Sequence, residues 1–452
     1  MNQTRSNSAF FPTFFKIAFF IIAQNLITYS VNVADNVMLG SYSQTALSGA
    51  AAVNQLQFLL QQVMIGLGEG LVTLSSRYWG NKDIKPIFGF FRIALAIGLS
   101  VGLILTVLTS LFPGKILYIF TPDPAIISAG SDYLTIMRFT YLPFIITSIL
   151  LSALRSMEKV KIGFVTSCIS LVINVCINYI LIFGHFGAPK LGITGAAIGT
   201  LTARLLELVI LVLYVRVIQP GLLKPSLDGF RGQTLKAYIK TSFPVVLTQT
   251  IFGLSISLQT VILGRLSSDA IAANSAATTI FQYLKLIAVG CASATVVVIG
   301  KTIGSGKTAE LKKQKTQLQF VYLAVGLLIC LLLNLVKHPL ISLYALTPAA
   351  RTLAIQIITV LSVAAIGMSY QMPVSAGIVR GSGDTKFTLK LDLICIWLIM
   401  YPVSLLAAFV WKLPAIVVIA LLNSDQIYKC IPAFIKVNMF FRISQFETSS
   451  PK

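Results

Sequence analysis

A carboxylate, several amides and one lysine stand inside stretches of this chain that are otherwise apolar. Asp35 lies in the first such stretch, QNLITYSVNVADNVMLG. Asn25, Tyr29, Asn32 and Asn36 recur at spacings of four, three and four, one stripe of a 3.6-residue helix, and Gln24, Thr28 and Asp35 run along an adjoining stripe. A carboxylate within a membrane helix costs about 2.5–3.5 kcal/mol on insertion scales, so it persists where it meets water, a partner or an ion. The competing reading is an interfacial aspartate near a helix end, since Gly40 follows closely. Asn174 and Asn178 are four apart and share a helix face. Such amides ordinarily bond neighbouring helices. Beside a carboxylate they could also offer carbonyl oxygens to a cation or hold a protonated acid. Asn54, Gln55, Gln57, Gln61 and Gln62 give the second stretch a polar surface that suits a wet cavity better than lipid.

Arg204 and Glu207, three apart, read as a pair on one face. Glu69 is expected to reach Arg77 or interfacial water. Lys285 falls in the middle of its apolar stretch, poorly placed to extend to an interface. It is expected to face a central cavity, pairing with a carboxylate or repelling permanent cations. The glycines of RGSGDTK, from Arg380, make a tight turn with Asp384 as the N-cap of the next helix. A phosphate loop fails there, because no GxxxxGK[ST] pattern follows a strand.

The elements that position these residues are set by the solvent. Of 452 residues, 56% are hydrophobic and 11% charged, and the mean hydropathy is +0.86. Soluble domains carry about 25% charged residues, so the chain is expected to be an integral membrane protein. Twelve apolar segments, near 13–39, 46–75, 87–112, 130–154, 162–184, 191–217, 239–263, 270–300, 317–336, 354–379, 387–411 and 413–437, predict an α-helical bundle. Most reach the ~20 residues that span a bilayer, far beyond the about 9–11 of a barrel strand. The last is interrupted by Asn423, Ser424 and Asp425.

VMLGSYSQTALSGAA from Val37 and VILGRLSSDAIAANS from Val261 read as copies, and the same offset relates GLGEGLVTLSSRYWG from Gly66 to GCASATVVVIGKTIG from Gly290. A repeat of half the chain implies two equivalent lobes, 1–222 and 223–452, joined by the polar stretch from Pro220. In a membrane protein this is the footprint of an alternating-access transporter with substrate between the lobes. Six helices separate the copies, so the repeats are parallel. Gln259 falls where the first half has Asp35, so only one half carries the carboxylate.

The net charge of +21 could suggest nucleic acid, but the basic residues gather in every second loop, as at Arg155, Lys159 and Lys161 or at Lys307, Lys312, Lys313 and Lys315. That is the positive-inside pattern, with both termini cytoplasmic and an attraction to anionic headgroups. No basic stripe with interleaved aromatics is present, and nucleic acid is not an expected partner. The six cysteines have no paired spacing and read as small core residues. The N-terminal stretch is too long for a cleavable signal and is expected to stay as the first helix. No paired-aspartate, histidine-rich or nucleophile–base constellation points to an intramembrane enzyme. The two histidines, His185 and His338, fall in loops.

With these motifs, together with ALSGAAAVNQLQ, NYILIFGHFGAPKLGITGAAIGT and RGSGDTK followed by Asp392, Trp397 and Pro402, the chain resembles the multidrug and toxic compound extrusion (MATE) family over nearly its whole length. The resemblance implies twelve helices in two six-helix lobes and export driven by an inward H⁺ or Na⁺ gradient. It also implies a cation-coupling site at Asp35, Asn174 and Asn178, with Thr202 nearby. Members often have a proline in helix one where this chain has Phe20, and many have a carboxylate where it has Asn178. Some have an acid in helix seven soon after a proline, whereas VVLTQTIF follows Pro244. Asp35 is thus the expected principal carboxylate.

The expected function is a secondary exporter of drug-like compounds, amphipathic organic cations above all, in the cell membrane. No cofactor, obligate protein partner or metal is expected, apart from Na⁺ at Asp35. Gln24, Asn25, Thr28, Asn32, Asn54, Gln57, Gln259 and Lys285 are the expected substrate-cavity residues. The alternative is a flippase for a lipid-linked saccharide or peptidoglycan precursor, whose pyrophosphate would favour Lys285, Arg138 and Arg204.

Overall fold

The structure is a computed structural model that describes residues 2–224, 232–264, 268–344 and 346–443, with the side chains of 2–9, 257, 260, 264 and 268 outside that description. The middle of the polar stretch after Pro220, and with it most of the expected inter-lobe connector, lies outside the described residues.

All twelve apolar segments are helical. They are α1 (Phe10–Tyr42), α2 (Gln44–Gly80), α3 (Lys85–Leu111), α4 (Pro124–Ser156), α5 (Lys161–Phe183), α6 (Ile193–Ile218), α7 (Gly232–Leu263), α8 (Asp269–Gly304), α9 (Thr308–Ser342), α10 (Pro348–Val379), α11 (Thr385–Val410) and α12 (Ala415–Asn438). Eleven of them are long and apolar enough to cross a membrane, and α6, 26 residues long, carries Arg204 and Glu207 midway. Helices satisfy their own backbone groups, which hydrocarbon demands because it offers no partners. No strand occurs among the described residues.

The ends of the helices follow local chemistry. Asp123 and Pro124 start α4, where the aspartate accepts from Ala125 N at 2.9 Å. Gly184, at φ 76°, closes α5 in the left-handed conformation that glycine adopts without strain. Asp384 caps α11 as expected, accepting from Phe387 N at 3.2 Å. Inside α10 the ladder widens into a π turn over Pro373–Val379, beginning at a residue with no N–H to donate. Two more π stretches, Leu393–Met400 and Leu406–Val410, lie in α11. α12 breaks at Asn423 and Ser424 and resumes at Asp425, so the interrupted segment remains one span.

Contacts divide the chain into two compact units. The first comprises Ala23–Ser75 and Asp83–Val246; the second comprises residues 1–22, Ser76–Lys82 and the chain from Leu247 onward. Within the first, α5 packs along α6, and α4 along both α3 and α6. Within the second, α10 lies against α8 and α9. The core of the second unit is aliphatic, with Ile329, Leu333, Ile357, Ile358 and Leu361 almost fully buried.

Candidate functional site

Asp35 projects from α1 in the first unit, half-buried, toward α5. The four-residue spacing puts Asn174 and Asn178 on one face of α5, where they are 1% and 0% exposed. The Asn178 amide Nδ2 donates to Asp35 Oδ1 at 2.5 Å and to Asn174 Oδ1 at 3.3 Å. Asn174 Nδ2 donates in turn to Thr200 Oγ1 on α6 at 3.3 Å. Tyr133, a buried residue of α4, stands beside Thr200. Four helices thus close on one carboxylate through a chain of amides and hydroxyls.

One atom of this network is left over. Asn178 Oδ1 is buried and accepts no hydrogen bond. Gly199 of α6 faces it so closely that a Cβ would overlap the oxygen. The absence of a side chain at 199 is what lets Asn178 fit between the helices. A buried acceptor without a donor normally costs about 1–3 kcal/mol, so an unpaired oxygen beside a carboxylate suits a group that arrives from outside.

The charge environment is simple. Arg204 acts on Asp35 electrostatically, but its guanidinium is held by Glu207 at 3.0 Å and lies over the Phe144 ring at 5.2 Å. The expected Arg204–Glu207 pair is therefore present. Glu69 meets Arg155 Nη2 at 3.0 Å, a partner 86 residues away in sequence. Arg77 in turn donates to the Gly381 carbonyl at 3.2 Å.

Of the expected coupling residues, Asp35, Asn174 and Asn178 come together. The Thr202 hydroxyl bonds back to the Ile198 carbonyl at 2.8 Å, and Thr200 is the α6 hydroxyl that joins the network. Among the expected cavity residues, Gln24, Asn25, Thr28, Asn32, Asn54 and Gln57 belong to the first unit and are half-buried, except Asn32, which is exposed. Thr28 donates to the Gln24 carbonyl at 3.0 Å, and Gln57 Oε1 is buried without a partner. Gln259 and Lys285 belong to the second unit. There Gln259 Nε2 reaches the Leu422 carbonyl at 3.5 Å, and Lys285 Nζ stands 4.7 Å from the centre of the Phe252 ring.

The second unit also holds a charged cluster that spacing reveals only in part. Lys429 Nζ lies 2.8 Å from Asp392 Oδ1 and 2.9 Å from Asp425 Oδ2, with Lys429 and Asp425 nearly inaccessible. Gln426 donates to Asp425 at 2.8 Å, and Gln371 donates to Gln426 at 3.0 Å. The 425/429 spacing of four was visible in sequence; Asp392 comes from another helix. Elsewhere in this unit a groove of about 650 Å³ is lined by Phe320, Leu323, Ile366, Ile431 and Phe434. Its polar rim is self-satisfied, since Tyr370 and Asn438 both donate to Gln319 Oε1.

Comparison with known proteins places this arrangement. The MatE family model matches twice, over residues 21–180 and 244–406, once in each half of the chain. The chain is 25% identical over 423 residues to the probable multidrug resistance protein NorM of Rhizobium meliloti, covering 89% of this chain and 88% of that protein. It is 23% identical to the protein of the same name from Thermotoga maritima, over 86% and 84% of the two chains. The fold matches that of the Vibrio cholerae MATE transporter VcmN in its bent form, with TM-score 0.84 at 17% identity over 95% of this chain and 97% of that one. It also matches the eukaryotic MATE transporter AtDTX14, with TM-score 0.82 at 18% identity over 94% and 95%. The fold is therefore the twelve-helix, two-lobed one of these transporters, and the chain belongs to the MatE family of multi-pass membrane transporters, which are not enzymes.

Proposed function

We propose that the protein is a secondary exporter of amphipathic organic compounds, cations above all, exchanging them for inward-moving H⁺ or Na⁺ by alternating access in the cell membrane, with both termini cytoplasmic. Two findings support efflux of drug-like solutes: the relatives named as multidrug resistance proteins and the matching transporter fold. The observation that carries ion coupling is the Asp35–Asn178 contact beside the unpaired Asn178 Oδ1.

Ionised Asp35 is an acceptor only, and the Asn178 amide meets it as a donor. A proton on Asp35 turns one carboxyl oxygen into a donor, and Asn178 Oδ1 is an acceptor with capacity to spare. Na⁺ would use the same two oxygen types as ligands. Either ion rearranges bonds that tie α1 to α5. An ion shifts a conformational equilibrium only by its differential affinity, and a swing from 1:99 to 99:1 takes about 5.5 kcal/mol. One observation favours the lipid-precursor flippase as a second reading: Lys285 makes no ion pair among the described residues. The test is efflux of a fluorescent organic cation from proteoliposomes with ΔpH and the Na⁺ gradient imposed separately. Dependence on one gradient is expected. Efflux indifferent to both would refute coupling, and transport of a lipid-linked pyrophosphate alone would favour the second reading.

A further inference from the structure

The groove of the second unit lies between α9, α10 and α12, apart from the Asp35 network. Its walls are apolar side chains turned outward from membrane-spanning helices: Phe320, Ile431 and Phe434 are 68%, 64% and 53% exposed. Along α9 the lining runs from Thr316 to Leu323, a rise of about 10 Å, which fits within one leaflet of a hydrocarbon core about 30 Å thick. One turn further on, at Gly326, a Cβ would come within 2.9 Å of Ile366 Cα. There the backbones of α9 and α10 meet and the groove closes. Its polar groups are already engaged: Thr316 donates to the Lys312 carbonyl at 3.1 Å, and Tyr370 and Asn438 donate to Gln319. The groove suits a hydrocarbon chain.

Its other end is basic. Lys315 Nζ donates to the Val437 carbonyl at 2.5 Å and lies 4.8 Å from the centre of the Phe441 ring, so the start of α9 and the end of α12 are fastened together there. Lys312 and Lys313 stand one turn before Thr316 on the same face of α9, and Arg442 follows the last turn of α12. All three are exposed and form no ion pair among the described residues. Two carboxylates at this end are engaged elsewhere, Asp384 with Lys436 at 2.7 Å and Glu310 with Gln314 at 3.4 Å. An apolar slot one leaflet deep, with unpaired cations at its headgroup end, has the chemistry that receives an anionic phospholipid. A second copy of the chain fits worse, because a two-fold contact would set these cations against their own copies.

We infer that the groove holds an acyl chain of one anionic phospholipid, with Lys312, Lys313 and Arg442 around its phosphate. The inference depends on neither the exported solute nor the coupling ion. The lipid bridges α9 and α12, the same two helices that Lys315 joins.

The test measures binding of dioleoyl phosphatidylglycerol, and of dioleoyl phosphatidylcholine as its neutral match, to the full chain in detergent by native mass spectrometry. Each basic residue beside an anionic headgroup is worth about fivefold in affinity, so Lys312→Gln/Lys313→Gln should bind phosphatidylglycerol about 25-fold more weakly than wild type. Lys159→Gln/Lys161→Gln, an exposed pair at the start of α5, removes equal charge away from the groove and should stay within about twofold of wild type. Leu323→Trp puts an indole into the slot and should abolish retention of the lipid.

An equal loss in the two lysine pairs would mean diffuse attraction to the whole basic surface and would overturn the site. Phosphatidylglycerol retained in full by Leu323→Trp would place the headgroup on the lysines without the groove, and would overturn it too. Glycerophosphoglycerol, the headgroup without chains, binding as tightly as the whole lipid would make this a site for a soluble anion instead. A lipid-free dimer that Leu323→Trp breaks would give the groove to a second copy. If Leu323→Trp misfolds, the comparison of the two lysine pairs still decides.

Discussion

Asp35→Asn tests the coupling site most directly, because it changes charge while nearly keeping shape. The Asp35 carboxylate accepts from Asn178 Nδ2 at 2.5 Å. A hydrogen bond to a charged group contributes about 1.5–3 kcal/mol and a neutral one about 0.5–1.5 kcal/mol, so the substitution should cost about 1 kcal/mol of stability. The functional cost is larger in kind. A tenfold proton gradient is worth about 1.36 kcal/mol per proton, so it can sustain at most about tenfold accumulation of a neutral solute for each proton exchanged. An amide neither binds a proton in this range nor offers a negative charge to Na⁺, so the differential affinity that drives the exchange disappears. The assay is steady-state accumulation in proteoliposomes under a one-unit ΔpH, or a tenfold Na⁺ gradient, with the membrane potential clamped. Wild type should approach the tenfold limit with the coupling ion. The Asp35→Asn protein should settle near unity while binding substrate within about threefold of wild type. If it still accumulates substrate more than about threefold under the same gradient, Asp35 is not the coupling carboxylate and the reasoning fails.

Other substitutions probe how the site and its surroundings are held. Gly199→Ala would drive a methyl onto Asn178 Oδ1; overpacking of about 1–3 kcal/mol should appear as a lower melting temperature together with impaired coupled transport. Glu69→Gln removes the carboxylate that Arg155 meets at 3.0 Å and should lower the melting temperature, and Glu69→Asp should recover part of the loss in thermal unfolding. Lys429→Met strands Asp392 and Asp425 without their shared ammonium; destabilisation on the order of 3–5 kcal/mol is expected, with Lys429→Arg much closer to wild type, read by thermal denaturation in detergent. Asp384→Ala removes the N-cap of α11 and should cost about 1 kcal/mol, with transport kept.

Several of these features were readable in one dimension because the geometry behind them is local. The helical positions of Asn174 and Asn178 follow from a spacing of four, and the Arg204–Glu207 pair from a spacing of three. The N-cap at Asp384 needs only the three residues after it. What sequence did not reveal depends on which helices are neighbours. Asp392 and Lys429 meet from α11 and α12, and neither is unusual alone. Asp425 looked like a break in a hydrophobic run, yet it is buried and paired. Glu69 meets Arg155 through tertiary packing, a partner too far along the chain for spacing to reveal. Thr200 and Thr202 lie two apart and so on different faces of α6. Only the packing of α5 against α6 decides that Thr200 meets Asn174. Gly199 carried no visible meaning until the amide it accommodates was in place.

The widened turn at Pro373–Val379 has a consequence for how this sequence can change over time. A π turn holds one residue more than the α turn it replaces, so it amounts to a single-residue insertion absorbed without breaking the span. Deleting one residue there would restore regular winding with the two flanking stretches still in phase, whereas the same deletion in a regular turn would rotate everything beyond it by about 100°. Point substitutions in this stretch should therefore be tolerated according to size. A one-residue deletion would take out only the residue the widened turn absorbs, so this segment should tolerate a change of length that the regular turns on either side would not.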